Sequence, residues 1–318
     1  MPIDYLHRHP NFPDLLAILE QETGILAGLI EKDYWIMHVL YGLQQQGFTF
    51  FLKGGTSLSK GYGIIDRFSE DIDILIEPKE DLGIITNPKK TDKKARESRR
   101  SYYDSLAQTI RVDGIIAVER DHAFDDTAAY RSGGIRLQYP STTSQIEGVK
   151  EGILLEAGFD TVTPNRLLTI SSWAYERAKT TPGLSIRDNR AVDVACYHPG
   201  YTFVEKLQTV VTKFRKAQEQ GEIGANLMRQ YYDLYCLLDL QEVQDFIATE
   251  PYQMHKQARF PKADLELPIC ENPAFLLQNA GLKAALIKRY QETAPLYYKG
   301  QPPFEDLLAR IQAHLDRL

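Results

Sequence analysis

Two aspartates one residue apart, Asp71 and Asp73, stand in a stretch that alternates with Ile72, Ile74 and Ile76. In a strand, residues i and i+2 share a face, so this pattern aims two carboxylates at one point and the isoleucines at a core. Adjacent carboxylates repel unless a cation or solvent intervenes. Magnesium takes oxygen ligands, often one or two carboxylates together with substrate phosphates. Upstream lies Lys53-Gly-Gly-Thr-Ser-Leu-Ser-Lys60. Gly54 and Gly55 let backbone amides approach a phosphate closely, and the helix opened by the next residues would add N–H groups and a positive dipole end. Thr56 and Ser57 supply hydroxyls and Lys60 a charge. The chemistry these residues suit is phosphoryl or nucleotidyl transfer, which needs positioned phosphates and divalent cations more than covalent help. A lone Gly-Gly is usually a turn, and an Asp-x-Asp is usually solvated or capping. The order of strand, Gly-Gly, helix and aspartate strand is what carries the reading.

A third acid would complete a two-metal site, with one carboxylate activating the attacking hydroxyl. The candidate is Glu156, in the apolar run Gly152-Ile-Leu-Leu-Glu-Ala-Gly158. The competing reading is an edge-strand charge facing water, which the residues alone slightly favour.

The positioning elements follow from periodicity. Residues 13–46 show helical three- and four-residue steps, with Gly47 as a stop. Residues 48–52 and 71–77 read as strands, as do 115–120, 134–139 and 152–159. Between them, residues 89–100 are strongly basic and run into a helix to residue 110. After about residue 165 the pattern turns helical, over 201–219, 226–240, 273–290 and 303–318. This predicts an α+β chain. Residues 1–164 would carry a small mixed sheet with flanking helices, and residues 165–318 a mainly helical domain completing the cleft. Pro164 and the turn at 181–183 are the boundary signals.

Composition narrows the class. The 318 residues are 43% hydrophobic and 25% charged, as in a folded globular chain. A formal charge of −6 excludes a general polyanion binder, so any nucleic-acid contact needs a local basic surface. Three scattered cysteines, Cys196, Cys236 and Cys270, support neither a zinc site nor a disulfide framework. The start lacks the pattern of a signal peptide, and no apolar run approaches the ~18 residues of a membrane span. The expected location is the cytoplasm, with no membrane partner.

The segments 53–60 and Arg67-Phe-Ser-Glu-Asp-Ile-Asp73 resemble the signature of AbiEii-type nucleotidyltransferase toxins, members of the polymerase-β-like minimal nucleotidyltransferase superfamily. Glu31-Lys-Asp-Tyr-Trp35, Thr202-Phe-Val-Glu-Lys-Leu207 and Gln230-Tyr-Tyr-Asp-Leu-Tyr235 resemble three further motifs of that family, in family order. The gap from Gly55 to Asp71 is longer than in compact members of the superfamily.

The resemblance implies that Gly55, Thr56 and Ser57 hold the nucleotide phosphates, beside Gly54 and Lys60 of the same turn, and that Ser69 shares a strand face with Asp71 and contacts phosphate or metal. Asp71 and Asp73 would bind Mg2+, Lys206 the phosphates of an NTP, and Asp233 would orient Lys206 or the substrate. Arg67 ranks below these, as do Lys32 and Asp33, where a helix start is the competing reading because an acid in the first turn favours the macrodipole. The family further implies transfer of an NMP to an acceptor hydroxyl, with tRNA as the acceptor class, and a separately encoded antitoxin. The basic run 89–100, extended by Lys213, Arg215 and Lys216, would serve RNA phosphates, although charge runs are more often solvated faces. The alternatives are modification of a small molecule or protein, or a non-catalytic binding module of the same fold.

Overall fold

The alternating stretch forms strand β2 (Asp71–Ile76), with Ile72, Ile74 and Ile76 buried and Asp71 and Asp73 half-buried on the opposite face. The structure is a computed structural model that describes residues 4–146, 148–221 and 223–318. Residues 1–3, part of the start read above for a leader, lie outside them. The other strands are β1 (Phe50–Lys53), β3 (Ala117–Asp121), β4 (Ser132–Gln138), β5 (Ile153–Gly158), β6 (Asn165–Ile170) and β7 (Ala191–Tyr197). Among the described residues they form one mixed sheet of order β3-β4-β5-β2-β1-β7-β6. β2 runs antiparallel to β1 and parallel to β5, so the aspartates stand in the middle of the sheet.

Among the described residues, the longer helices that accompany the sheet are α1 (Phe12–Thr23), α2 (Ala27–Gln45), α3 (Lys93–Thr109) and α4 (Trp173–Lys179). The left-handed Gly24 ends α1. α2 is buried on nearly every side, as its mostly apolar sequence requires. The Asp92 side chain caps α3 by accepting from the Ala95 N–H.

The chain divides into two compact units, Met1–Gly63 with Ser69–Tyr197 and Ile64–Phe68 with His198–Leu318. The boundary expected after residue 164 therefore falls inside the first unit. The reason is long-range pairing: β6 pairs with β7, and β7 joins β1 through Phe51 opposite Ala195 and Leu52 opposite Cys196. The second unit is mainly helical, with α5 (Pro199–Gln220), α6 (Ala225–Leu237), α7 (Glu250–Arg259), α8 (Ala280–Gln291), α9 (Phe304–Gln312) and shorter turns. The helix expected over 273–290 is broken, because Leu277 adopts a left-handed φ of 43° after a single turn, Pro273–Leu276. Among the described residues, no helix is long and apolar enough to cross a membrane. The three cysteines are unpaired.

A polar network fixes α2 to three distant segments. His7 Nδ1 bonds the Tyr34 hydroxyl at 2.9 Å, and its Nε2 bonds Asp113 Oδ1 at 3.2 Å. His38 Nε2 donates to the Asp113 carbonyl at 3.0 Å, and the Asn189 amide donates to His38 Nδ1 at 2.8 Å. Arg8 closes the cluster on Asp113. Burial pushes both imidazoles down, His38 to about 4. Between that value and the ~6.5 of an unfolded imidazole, the unfolded chain binds the extra proton. The His38 contribution is therefore intact above pH ~6.5 and is lost as pH falls towards 4, by about 3 kcal/mol in total. Denaturant unfolding at pH 7 and pH 4.5 checks this. The wild type should lose stability on acidification, and His38→Gln should lose distinctly less.

Candidate active site

The chain leaves β1 at Lys53 and turns at Gly54, whose φ of 66° is left-handed. A Cβ at Gly54 would lie 1.7 Å from Asp73 Oδ2. Glycine is thus required twice over, for the turn and to make room for the carboxylate. The backbone continues through one helical turn (Gly54–Thr56) into a wider π turn (Ser57–Gly61), a geometry common at functional sites.

Gly54, Gly55, Thr56 and Ser57 are all buried. The Thr56 hydroxyl donates to the Asp71 carbonyl at 2.5 Å, so it ties the glycine turn to the head of β2 and is not presented to a phosphate. Ser57 lies against the Cys196 thiol. The Lys60 ammonium pairs with Asp33 Oδ1 at 2.6 Å and lies 5.2 Å from the Trp173 ring centroid.

Lys53, Asp73 and Glu156 are register partners on β1, β2 and β5, and opposite residues on paired strands project from the same face. Glu156 therefore stands beside Asp73, with Asp71 two residues away. β5 lies between β4 and β2, so the edge-strand reading of Glu156 does not hold. Lys53 pairs with Asp160 Oδ2 at 2.7 Å. Asp71 Oδ2 accepts from the Lys150 ammonium at 2.8 Å, while Asp71 Oδ1 is buried and has no hydrogen-bond partner among the described residues. A buried, unpaired carboxylate oxygen is costly unless a ligand completes it. Asp71, Asp73 and Glu156 stand on one face of neighbouring strands, and carboxylate oxygens are the ligand type that a hard divalent cation such as Mg2+ takes.

Lys32 and Asp33 do more than begin a helix. Both are buried in the first turns of α2. Lys32 donates to the Lys150 carbonyl at 2.5 Å and lies 3.7 Å from Glu70, and burial pushes its ammonium down to about 8. Asp33 accepts from the Trp173 N–H at 2.9 Å as well as from Lys60, and burial pushes its carboxyl up. Ser69 does not share a strand face with Asp71, because β2 begins at Asp71 and Ser69 lies in the irregular segment ahead of it. Lys150, Glu70 and Lys53 were not singled out by the sequence; the available signal was charge flanking the aspartate and glycine strands.

In the second unit, Arg67 grips Asp233 with two parallel bonds, Nε to Oδ1 at 2.6 Å and Nη2 to Oδ2 at 2.7 Å. The Lys206 ammonium reaches Asp233 Oδ2 at 2.9 Å. Asp233 is fully buried. Burial pushes its carboxyl up, but Arg67 and Lys206 outweigh that and hold it below its ordinary range. The structure thus joins Arg67, Lys206 and Asp233, a link between residues 166 positions apart that no local pattern announces.

The basic run 89–100 is only partly surface. Arg99 is buried and donates to the carbonyls of Ile85, Asn87, Lys90 and Ala129, so it braces the fold. Lys89, Lys90, Lys94 and Arg96 are exposed. Tyr102, Tyr103, Tyr231 and Tyr232 are buried and belong to the core. Arg215 is engaged by Asp264 and Glu219.

Solved structures similar to this chain include an antigenic nucleotidyltransferase-like protein from Paracoccidioides brasiliensis, at 13% identity and a TM-score of 0.37, covering 74% of this chain and 98% of that one. Another is terminal uridylyl transferase 4 from Trypanosoma brucei with bound UPU, at 12% identity and a TM-score of 0.28, covering 72% of this chain and 58% of that one. No curated protein sequence matches the chain. A family model described as nucleotidyl transferase AbiEii toxin, Type IV TA system, matches residues 38–310. With most of its length covered by that match, the chain belongs to the AbiEii family of toxins and is a nucleotidyltransferase.

Proposed function

We propose that this nucleotidyltransferase transfers an NMP from an NTP to an acceptor hydroxyl on tRNA, in the cytoplasm, with Asp71, Asp73 and Glu156 as its Mg2+ ligands. The observation that carries the proposal is the alignment of the three acids on adjacent strands, over a glycine turn that leaves room for Asp73. Bound there, Mg2+ would neutralise charge developing on the phosphates. The N–H groups of the turn at Gly54–Thr56 orient the triphosphate. Glu156 takes the proton of the attacking hydroxyl, whose oxygen forms the new bond to the α-phosphorus as pyrophosphate leaves. Lys206 contacts nucleotide phosphate, and Asp233 orients it. Arg67 holds Asp233 in place, and Asp33 holds Lys60. Lys89, Lys90, Lys94 and Arg96 offer charge to an RNA backbone. A separately encoded antitoxin would restrain the activity, as the Type IV assignment of the family implies.

The test is incubation with each α-labelled NTP, Mg2+ and total bacterial RNA. Label on tRNA from one NTP is expected. Label on protein or on a small acceptor instead would keep the transfer chemistry and remove tRNA. Gly54→Ala should lower transfer by at least about 10²-fold, because displacing a reacting group by ~1 Å already costs that much. It should also cost about 1–2 kcal/mol of stability from the left-handed φ alone. Steady-state kinetics and denaturant unfolding of this variant check both figures.

A further inference from the structure

Lys150 rests on Asp71. Its ammonium lies 2.8 Å from Asp71 Oδ2 and 4.4 Å from the Phe124 ring centroid. The backbone around it is clamped on both sides: the Lys150 N–H donates to Glu70 Oε2 at 3.0 Å, and the Lys150 carbonyl accepts from the buried Lys32 ammonium at 2.5 Å. The side chain itself is 32% exposed. A fixed backbone with a flexible four-carbon stem lets the charged end leave Asp71 without disturbing β2. A cavity of about 250 Å³ gives it somewhere to go; its lining includes Lys150, Lys32, Ser141, Thr143 and Gln145.

We infer that Lys150 is the resident counter-ion of Asp71 and must swing off that carboxylate before the three acids can close on a divalent cation, so that it sets the metal affinity of the free protein. The inference rests on the metal reading given above. An ammonium and a divalent cation repel, and one carboxylate oxygen cannot serve both at full strength. The neighbouring oxygen, Asp71 Oδ1, is buried and has no hydrogen-bond partner among the described residues. The ammonium therefore screens the repulsion between Asp71 and Asp73 in the free protein without filling the site. It also weakens the first binding step.

The test is Mn2+ binding to the full chain without nucleotide, read by the electron paramagnetic resonance signal of free Mn2+. Lys150→Met keeps the length of the side chain and removes the charge, so it should bind Mn2+ about tenfold more tightly than the wild type. Lys150→Arg keeps the charge and should bind as the wild type does. Lys150→Gln provides a second neutral variant should methionine disturb the packing on Phe124. Equal affinities for wild type and the neutral variants would overturn the inference and leave the metal reading standing, as would equal tightening by arginine. No binding by any of the proteins would overturn both.

Discussion

Asp71→Asn and Asp73→Asn should each lower nucleotidyl transfer by at least about 10³-fold, a loss of about 4 kcal/mol of transition-state stabilisation. Each substitution removes a negative charge and leaves the side-chain volume nearly unchanged. The strand that carries them is held by Ile72, Ile74 and Ile76 on its other face and by pairing with β1 and β5. The Thr56 bond to residue 71 uses the backbone carbonyl and survives either change. Both variants should therefore unfold near the wild-type midpoint, with activity and stability separated. Kinetics beside denaturant unfolding checks this, and a variant keeping more than about a tenth of wild-type transfer would remove that aspartate from the proposed metal site.

Asp233→Ala should instead cost stability, by about 3–5 kcal/mol. Asp233 is the shared partner of Arg67 and Lys206, and Arg67 is itself almost fully buried. Deleting the carboxylate strands a guanidinium in a low-dielectric interior, which costs more than the pair contributed. That is a large part of the 5–15 kcal/mol typical of a whole domain, so the second unit should melt early. The paired substitution Arg67→Met with Asp233→Leu removes both buried charges and should recover much of the loss. It should not recover transfer if Asp233 orients Lys206. Chemical denaturation of the single and double variants decides the matter; an Asp233→Ala protein with an unchanged midpoint would contradict the description of this cluster.

Period-two alternation made β2 legible residue by residue, because the sequence itself states which side chains share a face. The same rule could not place Glu156. Its position beside Asp73 depends on the register between β2 and β5, which is set by the elements that separate them in the chain. β6 and β7 escaped for a related reason. β6 is an edge strand with only Ile170 buried, so it lacks a clean apolar alternation, and its pairing shifts between Leu168 and Ile170. Lys32 and Asp33 looked like ordinary first-turn charges because their partners, Lys60, Glu70, Lys150 and Trp173, come from other parts of the chain. Arg99 stood in a basic run and read as surface, yet its guanidinium gathers backbone carbonyls of two loops. Local spacing shows which side chains share a face; the bonds holding these groups in place are long-range.

The dependence of transfer on Mg2+ held by Asp71, Asp73 and Glu156 is the property on which the proposed function stands. Its most direct test is transfer of α-labelled NMP to total bacterial RNA by the wild type and by Asp71→Asn, each with Mg2+ and with a chelator in its place. The prediction is label in RNA only for the wild type with Mg2+. Transfer that survives the chelator, or that Asp71→Asn performs as well as the wild type, would contradict it.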